Sequence, residues 1–182
     1  MKVVVLTGSP HTNGTTSLLA DEFCSGAMES SHELIRFDTA KLKLNPCIGC
    51  DHCRKNEGKC VYEYDDMIEI ILHLLTADAV VLVTPLYYFG MTSQLKRVID
   101  RFYSVNDLLR ENSKKLFLIA AGADKDEWAM DGIKAHYKSL CKYMNWQEGG
   151  MLLAYGLGTR QDAENSEYKL MARKLGKEMC HS

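Results

Sequence analysis

Five short apolar runs, set apart by helix-like stretches, limit the folds open to this chain. They are "KVVVLT" (Lys2–Thr7), "ELIRF" (Glu33–Phe37), "AVVLVT" (Ala79–Thr84), "KLFLIAA" (Lys115–Ala121) and "MLLAY" (Met151–Tyr155). Four are nearly continuous in Val, Leu and Ile, the pattern of strands covered on both faces, as in a parallel sheet. The second mixes charge with apolar residues, which places it nearer a sheet edge. Helical segments are expected over Thr16–Met28, Asp65–Thr76, Met91–Leu109, Trp128–Met144 and Ala163–Met179. In the fourth, Ile133, Tyr137, Leu140 and Met144 share one face, and in the fifth Met171, Leu175 and Met179 do. Strand and helix alternate, so a doubly wound α/β sheet with right-handed crossovers is expected.

The 182 residues are expected to form one domain, residues 1–182. A net charge of −2 offers no basic face for nucleic acid. No apolar run approaches the ~18 residues of a membrane span. The opening "MKVVVLTGSP" falls short of the roughly 7–15 apolar residues of a secretory signal. The chain therefore reads as cytoplasmic, with no membrane or nucleic-acid partner.

In such a sheet, ligands bind at the carboxyl ends of the strands. After the first strand comes "TGSPHTNGTTS", Thr7–Ser17, which crowds Gly, Asn and hydroxyls onto a strand-to-helix junction. Amides at a helix start, joined by Ser and Thr donors, suit a phosphate. The spacing is not that of a P-loop, since five residues separate Gly8 from Gly14 and Thr15 stands where Lys is required. The dinucleotide fingerprint G-x-G-x-x-G is also absent. A phosphate held without metal help remains. After the third strand, "PLYYFGMTSQLKRVIDRF" sets Tyr87, Tyr88 and Phe89 between Pro85 and Gly90. That backbone can turn its amides toward a planar ligand, and at least one of the rings is expected to pack instead under the loop or at a subunit contact. Asp100 and Arg101 are candidates for an ion pair at a subunit contact, or else for a solvated helix face. No Ser-His-Asp or paired-carboxylate constellation is visible, so no catalytic side chain is assigned.

Four of the seven cysteines, Cys47, Cys50, Cys53 and Cys60, lie in "CIGCDHCRKNEGKC", spaced C-x2-C-x2-C-x6-C. Stable disulfides are rare in the cytosol. The same four thiols would serve zinc, an iron–sulfur cluster, or no ligand at all. Cys24, Cys141 and Cys180 read as isolated helix thiols.

"GSPHTNGTTSLL", "PCIGCDHCRKNEGKCVYEYDDM" and "TPLYYFGMTSQLKRVIDRF" together resemble the flavodoxin-like NAD(P)H-dependent FMN reductases, on the branch that includes the iron–sulfur flavoproteins. The similarity covers roughly the first 105 residues in order and spacing. It implies a three-layer sandwich with a five-stranded parallel sheet in the order 2-1-3-4-5. It implies that Ser9, His11, Asn13, Gly14, Thr15 and Thr16 hold the FMN phosphate. The isoalloxazine would sit on Pro85, Leu86, Tyr87, Tyr88, Phe89 and Gly90, with a further contact near Ala121 and Gly122. His11 stands where the family often has Arg. The loop "YGLGTRQD", with Gly156 and Gly158, receives no role.

The resemblance also implies NAD(P)H as reductant, a small acceptor such as a quinone, flavin or nitro compound, and a homodimer or homotetramer. In the iron–sulfur branch the four thiols hold a [4Fe–4S] cluster, and plain FMN reductases carry the same pattern without one. Two rival readings are a flavodoxin-type electron carrier and an interaction protein that keeps the fold. Carriers of that type are strongly acidic, and the charge of −2 speaks against the first.

Overall fold

The structure, a computed structural model, describes residues 1–180. Its strands are β1 (Lys2–Thr7), β2 (Glu33–Asp38), β3 (Ala79–Pro85), β4 (Lys115–Ala121) and β5 (Gln147–Ala154). They form one sheet in the order β2-β1-β3-β4-β5, and every neighbouring pair is parallel. Register runs evenly from Val3 opposite Ala79 to Thr7 opposite Val83, and from Ala79 opposite Lys115 to Pro85 opposite Ala121. The predicted order is the observed one, with the mixed-character β2 at an edge.

The helices are α1 (Thr15–Glu29), α2 (His52–Lys55), α3 (Met67–Thr76), α4 (Ser93–Asp100), α5 (Asn106–Glu111), α6 (Asp131–Met144), α7 (Arg160–Glu164) and α8 (Tyr168–Glu178). Alternate side chains of each central strand feed two separate cores. Val4, Leu6, Val80, Leu82, Leu116 and Leu118 pack under α3, α4, α5 and α6. Val3, Val5, Val81, Val83, Phe117 and Ile119 pack under α1, α7 and α8. With both faces covered, these strands have no reason to alternate in polarity, which is why they read as continuous apolar runs. Helices α1 and α8 cross at very close range. A Cβ on Gly26 would lie 1.9 Å from the Arg173 carbonyl oxygen, and one on Gly176 would lie 2.1 Å from that of Phe23. No helix among the described residues is long and apolar enough to cross a membrane.

Several boundaries differ from expectation, each for a physical reason. The fifth strand starts at Gln147, four residues before its apolar run, because Gln147 and Glu148 pair with Lys115 and Leu116 across a bulge. The stretch Met91–Leu109 is not one helix. It divides into α4, a 3₁₀ turn over Arg101–Val105, and α5. The break falls at Arg101, whose guanidinium is buried against Asp65 at 2.7 Å, both side chains under 5% exposed (3% and 4%). Arg101 therefore does not pair with Asp100, which instead meets Lys96 one turn back. Helix α3 begins at Met67 because the Asp65 carboxylate accepts from the Met67 amide at 3.2 Å. The expected helix over Ala163–Met179 is two, α7 and α8, and the 3₁₀ turn Glu127–Met130 precedes α6.

Candidate functional site

Residues at the carboxyl ends of β1, β3, β4 and β5 line one cavity of about 470 Å³. Its first wall is the loop after β1. The Gly8 amide continues the sheet by donating to Val83 O at 2.8 Å. The Thr92 hydroxyl donates to Gly8 O at 2.7 Å, and a Cβ on Gly8 would stand 2.5 Å from that hydroxyl oxygen. The loop is thus drawn flat against the start of α4. Beyond it, the His11 amide donates to Ser9 Oγ at 3.1 Å and the Gly14 amide to His11 O at 3.2 Å. No side chain caps the start of α1 at Gly14. The amides of its first turn lack intrahelical acceptors, as in any α-helix, and carry the positive end of the helix dipole into the cavity.

The second wall follows β3. The Leu86 amide donates to Ala121 O at 2.7 Å, which locks the two strand ends together. Tyr87 and Gly90 then exchange backbone hydrogen bonds of 3.0 and 3.1 Å across a two-residue turn. Tyr88 (φ 45) and Phe89 (φ 64) at its centre both have positive φ, the geometry of a type I′ turn. Such turns favour Asn and Gly, so two aromatic residues there store strain. Tyr88 is 100% exposed, and Phe89 leans on Trp128 with ring centroids 5.1 Å apart.

Ala121, Gly122 and Ala123 supply the third wall, and Leu157 to Arg160 the fourth. The cavity brings together Ser9, His11, Asn13, Gly14, Thr15 and Thr16 with Pro85, Leu86 and Tyr87, and Gly122 joins them. Tyr88, Phe89 and Gly90 stand outside its lining, at the turn beside it. The fourth wall received no role from the sequence. A signal for it exists in "TRQD": Thr159 accepts from the Asp162 amide, and Asp162 from the Thr159 amide, a capping box that marks another strand-to-helix junction.

The cysteine segment lies elsewhere. Cys47 and Cys50 are exposed, and Cys53 and Cys60 are half-buried. Asp51 (φ 53) and Glu57 (φ 51) adopt left-handed backbone around the short helix α2. Its root is firmly held. Arg97 donates to the carbonyls of Thr39, Leu42 and Leu44, and Arg101 to that of Asn45 at 3.0 Å. Asp65 accepts from the Asn45 amide at 3.0 Å. Burial alone would raise the Asp65 carboxyl, but the Arg101 guanidinium and the amides of Asn45 and Met67 hold it below its ordinary value. No group of three or more His, Cys, Asp or Glu side chains is placed to hold a metal ion among the described residues. Burial lifts the thiols of Cys24 and Cys141 to about 11, which marks both as inert packing.

Residues 1–147 match the profile of the NADPH-dependent FMN reductase family. The chain belongs to that family. It is 36% identical over 126 residues to an iron–sulfur flavoprotein of Methanocaldococcus jannaschii, covering 69% of this chain and 64% of that protein. An iron–sulfur flavoprotein of Archaeoglobus fulgidus is 33% identical over 129 residues, 70% of this chain and 58% of its own length. The chain thus spans less than two thirds of these curated relatives. A Bacillus subtilis protein described as an NAD(P)H-dependent FMN-containing oxidoreductase is 26% identical over 165 residues, 86% of each chain. Among solved structures, an NAD(P)H:quinone oxidoreductase from Methanothermobacter marburgensis superposes with a TM-score of 0.79 at 18% identity, over 100% of this chain and 97% of that one. At that identity the likeness is one of fold, and it agrees with the flavodoxin-like sheet order of this FMN reductase family member.

Proposed function

We propose that this chain is a cytoplasmic FMN-dependent oxidoreductase that takes hydride from NAD(P)H and passes electrons to a small acceptor such as a quinone, a flavin or a nitro compound. The carrying observation is the single cavity in which the uncapped start of α1 and the hydroxyls of Ser9, Thr15 and Thr16 face the apolar ledge Pro85–Leu86. A donor-rich end and an apolar end suit a molecule that is phosphate at one end and planar ring at the other. FMN is that molecule, and when bound it supplies the hydride chemistry.

The chain's own residues bind and orient. Ser9, Asn13, Thr15 and Thr16 would donate to the phosphate, with His11 and Gly14 beside them in the lining. Pro85, Leu86, Tyr87 and Gly122 receive the ring, and the turn through Tyr88, Phe89 and Gly90 borders it. The lining holds no Asp, Glu, Lys or Cys, so acid–base work by a carboxylate, amine or thiol is not called for. Tyr88, Phe89 and Trp128 leave apolar rings in solvent beside the cavity, which supports a homodimer or homotetramer whose second copy covers that mouth.

A second reading concerns Cys47, Cys50, Cys53 and Cys60. Four thiols fit a [4Fe–4S] cluster in kind and number, and relatives named iron–sulfur flavoproteins support it. The arrangement seen here does not gather three of them for a metal ion. No step of the reaction is routed through these thiols.

The test is an absorption spectrum of anaerobically purified protein, before and after NADPH. Flavin bands that bleach, followed by turnover of a quinone beyond one equivalent, are expected. A colourless protein that takes up no FMN would end this reading. His11→Asp places a carboxylate in the phosphate loop and is expected to weaken FMN about tenfold or more. Unchanged affinity would mean that the phosphate lies elsewhere.

A further inference from the structure

A phosphomonoester carries close to two negative charges, and the cavity wall offers very little to balance them. Among the lining residues there is no carboxylate, and only Arg160 has a permanent charge. Arg160 is the first residue of α7, which lies against α1, so the guanidinium and the Thr15–Thr16 helix start face one space. Its backbone is pinned by the Thr159–Asp162 capping box, with the Thr159 amide donating to Asp162 Oδ2 at 2.7 Å. Its Nε donates to Glu164 Oε1 at 2.7 Å, one turn along the helix. Among the described residues that is its one protein hydrogen bond, and Nη1 and Nη2 donate to no protein acceptor. The side chain is 31% exposed, so it is mostly screened from bulk water. A guanidinium whose Nη1 and Nη2 are not used within the protein can bind a phosphoryl group bidentately. Residue 160 lies beyond the 1–147 match to the family profile.

We propose that Arg160 is the counter-charge of this pocket: Nη1 and Nη2 clamp a phosphomonoester dianion from the wall opposite Ser9–Thr16. The dianion is the cofactor's own phosphate, which the amides of α1 hold from the other side. This inference rests on the cavity being the FMN site, as proposed above.

The test compares dissociation constants of FMN and riboflavin for the full chain, Arg160→Ala and Arg160→Lys, by flavin fluorescence, with KM for NADPH and NADH alongside. Arg160→Ala loses only a partly exposed i,i+4 pair from the fold, so its thermal melt is expected to stay near that of the parent. FMN binding is expected to weaken about 10- to 100-fold while riboflavin binding is unchanged. Lys, a point charge without a fork, is expected to recover part of the loss. Unchanged FMN affinity overturns the assignment, even if the preference for NADPH over NADH is lost and the arginine proves to serve the 2′-phosphate of NADPH instead. If neither responds, or if riboflavin weakens as much as FMN, Arg160 is no phosphate ligand. A parent protein that binds no FMN would overturn the cavity reading and this one with it, whereas normal binding in Arg160→Ala overturns this one alone.

Discussion

Asp65→Ala would strand the Arg101 guanidinium in the interior. The two side chains are 4% and 3% exposed, and the carboxylate meets both Nη1 at 2.7 Å and Nη2 at 3.3 Å. The same carboxylate accepts from the amides of Asn45 and Met67. Removing one partner of a buried pair costs about 3–5 kcal/mol, mostly because the remaining charge is left without compensation. For a domain of this size that corresponds to a fall of about 6–20 °C in Tm. Urea melts or calorimetry would read it. Asp65→Ala with Arg101→Met removes both charges and is expected to recover most of the loss. The pair also sets a pH dependence. The folded state holds the Asp65 carboxyl below its ordinary value, so it binds its proton less readily than the unfolded chain does. The stabilisation is complete above the unfolded value of about 4 and disappears as pH falls through the lowered folded one. Asp65→Asn should remove that acid-sensitive component. A loss under about 1 kcal/mol for Asp65→Ala alone, in the range of exposed pairs, would refute the reasoning.

Two further perturbations test packing and strain. Gly176→Ala puts a methyl 2.1 Å from Phe23 O, and forcing α1 and α8 apart is expected to cost about 2–3 kcal/mol in a chemical melt; a neutral result would mean that the helices slide freely. Tyr88→Asn with Phe89→Gly gives the turn the residues its backbone favours and is expected to raise stability by about 1–2 kcal/mol while weakening FMN binding. A lowered Tm would show that the two rings, not the backbone, govern the turn.

What could be read from the sequence follows from how local each cause is. β1, β3 and β4 declare themselves, since burial on two faces is written directly into consecutive residues such as Val3–Leu6 and Val80–Val83. The start of β5 does not, because Gln147, Glu148 and Gly150 pair through backbone alone at a sheet edge, with Gly149 at the bulge. The break at Arg101 has its cause 36 residues away at Asp65, where no periodicity reaches. The phosphate-type loop is visible because its donors are contiguous from Ser9 to Thr16. Arg160 is missed because its place beside Thr15 depends on α7 folding back against α1, a contact between segments about 145 residues apart in the chain.

The grip of Arg97 and Arg101 has a consequence for how this protein can change over generations. Both arginines hold the stretch before Cys47 by main-chain carbonyls, those of Thr39, Leu42, Leu44 and Asn45. Every residue type carries that same oxygen, so these hydrogen bonds do not depend on side-chain identity, even though Leu44 itself is buried in the core. The sequence of the thiol-bearing stretch that follows can therefore vary without disturbing that main-chain grip.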